Sequence, residues 1–193
     1  MIHTGIVQYL SEIDTNIFLF FNGIHSPFWD YFMSSFTGKF IWVPMYATIL
    51  YILLRNFHWK VVVCYVAAIA LTITFADQMC SSIIRPVVAR LRPANPDNPI
   101  VDMVYIVNGY RGGSYGFPSC HAANSLGLAM FVIFLFRKRW LSIFILTWAI
   151  LNCYTRIYLG VHYPGDLLVG GIIGGFGGWL FCTIAHKAAT YLE

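Results

Sequence analysis

Residues 61–84 read VVVCYVAAIALTITFADQMCSSII, a run whose one charged side chain is Asp77. A helix crosses the hydrocarbon of a bilayer with about 20 mostly apolar residues, so this stretch predicts a transmembrane span. Charge returns at once in Arg85-Pro-Val-Val-Ala-Arg90-Leu-Arg92-Pro93. Four more segments carry the same reading: about 40–56, closed by Arg55; 120–136, closed by Arg137-Lys138-Arg139; 140–158; and 164–187. Hydrophobic residues make up 59% of the 193 and charged residues 10%. A soluble domain carries about 25% charged residues. So few charges cannot cover a soluble surface, and disordered chains are polar. The expected fold is therefore all-α: one polytopic membrane domain over 1–193, with five spans in 40–193.

Residues 1–39 differ. Ile6, Val7, Leu10, Ile13, Ile17 and Phe20 recur at helical spacing, with Gln8, Glu12 and Asn16 between them. That pattern predicts a helix lying in the bilayer interface. Asn22-Gly23 and Ser26-Pro27 break it, and a short second helix is expected over about 28–36. The N-terminus lacks a basic region followed by an apolar core and a cleavage site, so no removable signal peptide is expected. The five cysteines are odd in number and form no CxxC pair. They read as small buried hydrophobes, not as a disulfide or metal framework.

Five spans put residues 1–39, 85–119 and 159–163 on one side. Lys and Arg count six on each side, so the positive-inside rule decides only if Arg85, Arg92 and Arg156 are set aside as site residues. The 85–119 loop then lies outside the cytoplasm. The formal net charge of +4 gives no reason to expect a nucleic-acid partner. Gly170, Gly171, Gly174, Gly175, Gly177 and Gly178 crowd the last span, which predicts close helix packing within the bundle. A dimer-forming face is the alternative.

Three polar clusters fall on one side. The first runs from Arg85 to Pro93. The second is Phe117-Pro118-Ser119-Cys120-His121-Ala-Ala-Asn124-Ser125. The third is Thr155-Arg156-Ile-Tyr-Leu-Gly160-Val-His162-Tyr163-Pro164-Gly165-Asp166. Arginine forks fit phosphate oxygens. Ser119 is placed to cap a helix whose first N–H groups favour an anion. Asp166, four residues after His162, can accept from one ring nitrogen and leave the other unprotonated. Two histidines within an arginine cage can divide phosphoryl transfer, one as nucleophile and one as general acid. Nothing in this set demands a metal. Two His and one Asp could ligate zinc, but crowded arginines argue against a divalent cation.

The clusters resemble the signature of the type-2 phosphatidic acid phosphatase family: lysine, six residues, Arg-Pro; then Pro-Ser-Gly-His; then Ser-Arg, five residues, His, three residues, Asp. Arg85 stands in place of the lysine, Cys120 in place of glycine and Thr155 in place of serine. None of these changes removes a group that does chemistry. The resemblance implies that His162 forms a phosphohistidine, Asp166 orients it, and His121 serves the leaving group and then water. It also implies that Arg85, Arg92, Ser119, Cys120 and Arg156 hold the phosphate. Arg90 and Arg111 are further candidates for substrate contact, against bland readings of headgroup snorkelling and loop solvation. Asp77 reads as a structural partner inside the bundle. No cofactor is expected.

The implied activity is a metal-independent membrane phosphatase whose substrate is a bilayer lipid phosphate or pyrophosphate. Undecaprenyl pyrophosphate comes first, with lipid A or phosphatidylglycerophosphate or phosphatidic acid as the alternative, because the motifs read phosphate and not the lipid. The expected place is the inner membrane, with the site facing the exterior. A small transporter would also carry polar residues in its spans, but it gives no cause for Arg and His gathered on one face. A vanadium haloperoxidase shares the site but resembles large soluble proteins.

Overall fold

The computed structural model describes residues 2–38 and 40–192. The two ends of the expected domain, and Lys39 at the expected boundary between interfacial helices and bundle, lie outside the described residues. The helices are α1 (Ile2–Asn22), α2 (Pro27–Phe36), α3 (Val43–Asn56), α4 (Trp59–Gln78), α5 (Arg85–Val88), α6 (Cys120–Phe136), α7 (Arg139–Tyr158) and α8 (Pro164–Ala189). Among the described residues, extended pairing is confined to one isolated bridge, Leu91 with Tyr115.

The fold is an all-α membrane bundle. Three helical stretches are long and apolar enough to cross a membrane: Trp59–Val88, Arg139–Tyr158 and Pro164–Ala189. The other two expected spans are shorter than these three, although α6 has the length expected for it. Helix α6 has 17 residues and α3 has 14. Helix α3 falls short of the expected 40–56 at its N-terminus, where residues 40–42 form a turn instead of helix. The expected span 61–84 is longer than predicted because the helix does not stop at the charges. It continues through a π-helical turn, Met79–Ile84, into α5, and ends at Ala89 in a left-handed conformation. The wider turn spares Pro86 the clash its ring makes with a carbonyl four residues back in a regular α-helix. Arg85 therefore sits on a helix, with Arg90 and Arg92 beyond it.

Helices α4, α6, α7 and α8 enclose a core that includes Tyr65, Leu128, Phe131, Ile145 and Ala149. Val63, Leu71, Ile143, Ile150, Leu168, Ile172 and Phe176 point outward and are exposed. A surface of that kind is matched to hydrocarbon and not to water. The glycines of α8 face inward. A Cβ on Gly170, Gly174 or Gly178 would strike the backbone of Ser119, Ala123 or Gly127 on α6. The stripe is thus consumed by the contact between α6 and α8, and the dimer-face reading of these three positions is set aside.

Helix α1 presents Ile6, Val7, Leu10, Ile13, Ile17 and Phe20 away from the protein. Its other side is bonded to the bundle. Asn22, expected only to break the helix, is buried and donates to the carbonyls of Tyr105, Ile157 and Tyr158 while accepting from Tyr105 N. The Tyr105 and Tyr158 hydroxyls both donate to Asp30 of α2, each at 2.6 Å. These bonds join both N-terminal helices to the end of the bundle that carries the polar clusters.

Candidate active site

Each cluster is placed by a helix end. Ser119 caps α6, its Oγ accepting from Ala122 N at 3.4 Å. At α8, Pro164 opens the helix and Asp166 Oδ2 reaches back to accept from Tyr163 N at 3.1 Å. That reach also sets Asp166 Oδ2 3.3 Å from His162 Nδ1. The pair forms because Asp166 caps the helix that His162 precedes, not because both share one helical face. Residues 90–92 pair with 114–116 through Arg92 N to Ser114 O and Gly116 N to Arg90 O, at 3.0 and 2.9 Å. This ribbon carries the first cluster onto the third.

His162 is 1% exposed. Arg92 Nη1 lies 3.2 Å from its Nε2 and also points to Val161 O. Because guanidinium only donates, Nε2 is the acceptor and holds no proton. Burial pushes the His162 pKa well below the ordinary histidine range, and the charges of Arg92, Arg156 and Arg85 push it the same way. Arg92 in turn binds its own proton less tightly, through burial first and then the fields of Arg85 and Arg156. Three cations therefore converge on one neutral imidazole, an arrangement that an anion would relieve.

The other arginines are held by protein groups. Arg85 Nη2 donates to Pro118 O at 2.9 Å and to Cys120 Sγ at 3.0 Å, tying the first cluster to the second. Arg156 donates to Thr37 Oγ1 and Tyr110 OH, at 2.7 and 3.4 Å. The Nε atoms of Arg85 and Arg156 are buried without a hydrogen-bond partner. Charged donors left unsatisfied in this way can be completed by phosphate oxygens.

Three further candidates are held by protein groups. Arg90 is held by two carboxylates and a ring. Its Nη1 pairs with Asp14 Oδ2 at 2.6 Å and Asp166 Oδ1 at 3.0 Å, and its guanidinium lies 3.8 Å above the Tyr163 ring. Arg111 is exposed and donates to Ala94 O at 2.7 Å. Ser119 is fully buried, with its oxygen given to the cap and its own N–H given to Asp166 O. Cys120 is helical and meets Arg85 through sulfur.

His121 is exposed and borders two cavities. One, of about 420 Å³, also includes Arg156, Tyr110 and Thr37. The other, of about 540 Å³, runs between helices and includes Asp77, so the carboxylate read as a bundle partner shares a space with a site residue.

Four participants carried no sequence signal. Thr37 and Tyr110 hold Arg156. Asp14, in α1, pairs with Arg90 and accepts from Gly165 N at 2.7 Å. Gly116 is the fourth: a Cβ there would lie 2.9 Å from Asp166 Oδ2 and 3.4 Å from His162 Nδ1, so only glycine lets this backbone lie on the pair.

Comparison with known proteins follows the same lines. The model of the PAP2 superfamily matches residues 61–189. A lipid A 4'-phosphatase of Bacteroides thetaiotaomicron is 75% identical over 97% of this chain and 83% of its own length. One from Porphyromonas gingivalis is 36% identical over 96% of this chain and 84% of its own. An undecaprenyl-diphosphatase of Sulfolobus acidocaldarius is 28% identical over 74% of this chain and 63% of its own. Two crystal structures share the fold. Aquifex aeolicus LpxE has a TM-score of 0.63 and 24% identity, with 88% of this chain and 94% of that one covered. The transmembrane PAP2 type phosphatidylglycerolphosphate phosphatase of Bacillus subtilis has a TM-score of 0.64 and 22% identity, with 96% and 89% covered.

Proposed function

The chain belongs to the PAP2 superfamily of phosphatases, and from that premise we propose that it removes the 4'-phosphate of lipid A. The observation that carries the substrate is the 75% identity, over nearly the whole chain, to a lipid A 4'-phosphatase. This reverses the order expected from the sequence, where undecaprenyl pyrophosphate came first. The motifs read a phosphate, and the undecaprenyl-diphosphatase relative is far more distant.

In this reading residues 1–193 act as one membrane-embedded unit. Phosphate oxygens replace Nε2 as the acceptor for Arg92, and Arg85 and Arg156 take the others. Nε2 of His162 then attacks phosphorus, its Nδ1 proton held by Asp166. The P–O bond to the sugar breaks, and His121 gives its proton to the departing O4'. His121 next takes a proton from water, which attacks the phosphohistidine and frees inorganic phosphate. The arginines stabilise the charge that builds on the equatorial oxygens. The step uses no metal and no cofactor. The enzyme lies in the inner membrane with this site on the exterior side.

The test is phosphate release in detergent with EDTA present. The panel is a lipid A 4'-phosphate, undecaprenyl pyrophosphate and phosphatidylglycerophosphate. Lipid A should be favoured and vanadate should inhibit, because it takes the five-coordinate geometry of phosphorus under attack. Preference for another lipid overturns the substrate. Activity that is lost in EDTA and restored by a divalent ion overturns the metal-free mechanism.

A further inference from the structure

The cavity of about 540 Å³ beside His121 is walled by α3, α4, α6 and α7, and its lining changes character with distance from the site. On α4, Asp77 is followed at four-residue steps by Ile73 and Ile69. On α6, His121 gives way to Asn124 and Ser125, then to Leu128. Residues three or four apart share a helix face, so each wall passes from polar to apolar as it descends into the bundle. Tyr46, Ile69 and Leu128 border a second cavity, of about 240 Å³, whose other walls are Ile49, Leu50, Leu53 and Val66. The two cavities share these three walls, so an apolar groove adjoins the polar cavity that His121 borders.

Two buried groups in the polar part have no protein partner. Asn124 Oδ1 is an acceptor and Trp148 Nε1 is a donor. Trp148 is 6% exposed and lines the cavity with Asn124 and Asp77. Buried donors and acceptors left open inside a membrane bundle cost free energy unless a ligand fills them.

We propose that this cavity is a leaving-group subsite for an acylated sugar, with Asp77, Asn124 and Trp148 bonding the ring hydroxyls and acyl-linkage amides next to the phosphate and the groove beyond taking an acyl chain. The inference rests on the lipid A reading and deepens it. A polyprenyl phosphate has no polar section between its phosphate and its hydrocarbon. It would bury chain against Asp77 and leave Asn124 Oδ1 and Trp148 Nε1 unmet. The cavity thus favours glycolipid over polyprenyl substrates, and Asp77 becomes a specificity-determining residue.

The experiment compares kcat/KM for a lipid A 4'-phosphate and for a polyprenyl monophosphate, both in detergent. The proteins are wild type, Asp77→Leu, Asp77→Asn and Asn124→Leu. The ratio of glycolipid to polyprenyl activity should fall roughly tenfold to a hundredfold in the two leucine variants, as expected for lost hydrogen bonds in a desolvated site. Asp77→Asn should hold most of it. A purely structural role would lower both substrates alike and leave the ratio unchanged, which overturns the subsite. Should Asp77→Leu not fold, Asn124→Leu decides by the same ratio. Failure of the wild type to act on the glycolipid overturns the lipid A reading, and this inference with it. Wild-type action with unchanged ratios in the variants overturns the subsite alone.

Discussion

His162 owes its neutrality to its neighbours. Burial and three guanidinium groups hold its pKa below the ordinary value of about 6.5. The neutral form, the nucleophile of the proposed mechanism, therefore persists to lower pH, and the acid limb of kcat/KM that this residue would set should lie below that value. Removing a cation must raise the pKa. Arg92→Gln should shift the acid limb to higher pH relative to wild type on the same substrate, besides lowering activity. A limb that stays put or moves down would dissociate the group that sets it from the arginine cage. Arg90 acts at one remove, as a positioning residue that fixes Asp166 from the side opposite His162. Misplacing a reacting group by about 1 Å can cost about a hundredfold in rate. Arg90→Ala should therefore lower kcat by up to about that factor with KM little changed. A raised KM at normal kcat would instead return Arg90 to the substrate.

At the scale of elements, the contact between α6 and α8 carries the site, because Ser119 caps one helix, Asp166 caps the other, and Ser119 N bonds Asp166 O at 3.0 Å. Glycines keep these helices close, and they are not equivalent. At Gly174 an added methyl meets the Ala123 backbone, which cannot yield. At Gly175 its nearest neighbour is Met130 Cγ at 3.6 Å, an ordinary contact. Alanine favours a helix over glycine by about 1 kcal/mol. Gly175→Ala should thus be neutral or slightly stabilising, whereas Gly174→Ala should destabilise by roughly 1–3 kcal/mol through overpacking. Thermal unfolding in detergent, followed by size-exclusion or intrinsic fluorescence, compares the two. Equal melting temperatures would mean that α6 and α8 separate more easily than the contact implies.

For the whole molecule, α1, α2, the 91–116 loop and the starts of α6 and α8 gather at one end. The proposed orientation sets the site arginines aside from the equal basic count on the two sides. Arg85, Arg90, Arg92 and Arg156 are committed to carboxylates, carbonyls, sulfur, hydroxyls or His162. They are poor topogenic charges compared with Arg137, Lys138 and Arg139 at the opposite end. A reporter fused after Lys138 should give a cytoplasmic signal, and one inserted within 95–110 an external signal. The reverse pattern would invert the proposed orientation.

Sequence alone determined the membrane class, the helix positions to within a few residues and the family, since each depends on local composition or on short spacings along the chain. The pairing of His162 with Asp166 was legible for the same reason. Only the tertiary structure decided what Arg90 bonds, where Asp77 faces and which way the glycine stripe turns. It alone brought Asp14, Thr37, Tyr110 and Gly116 to the polar end. Asp14 and Asp166 are 152 positions apart, and no periodicity links them. They meet because a buried carboxylate must be paired, and Arg90 stands where both can reach it.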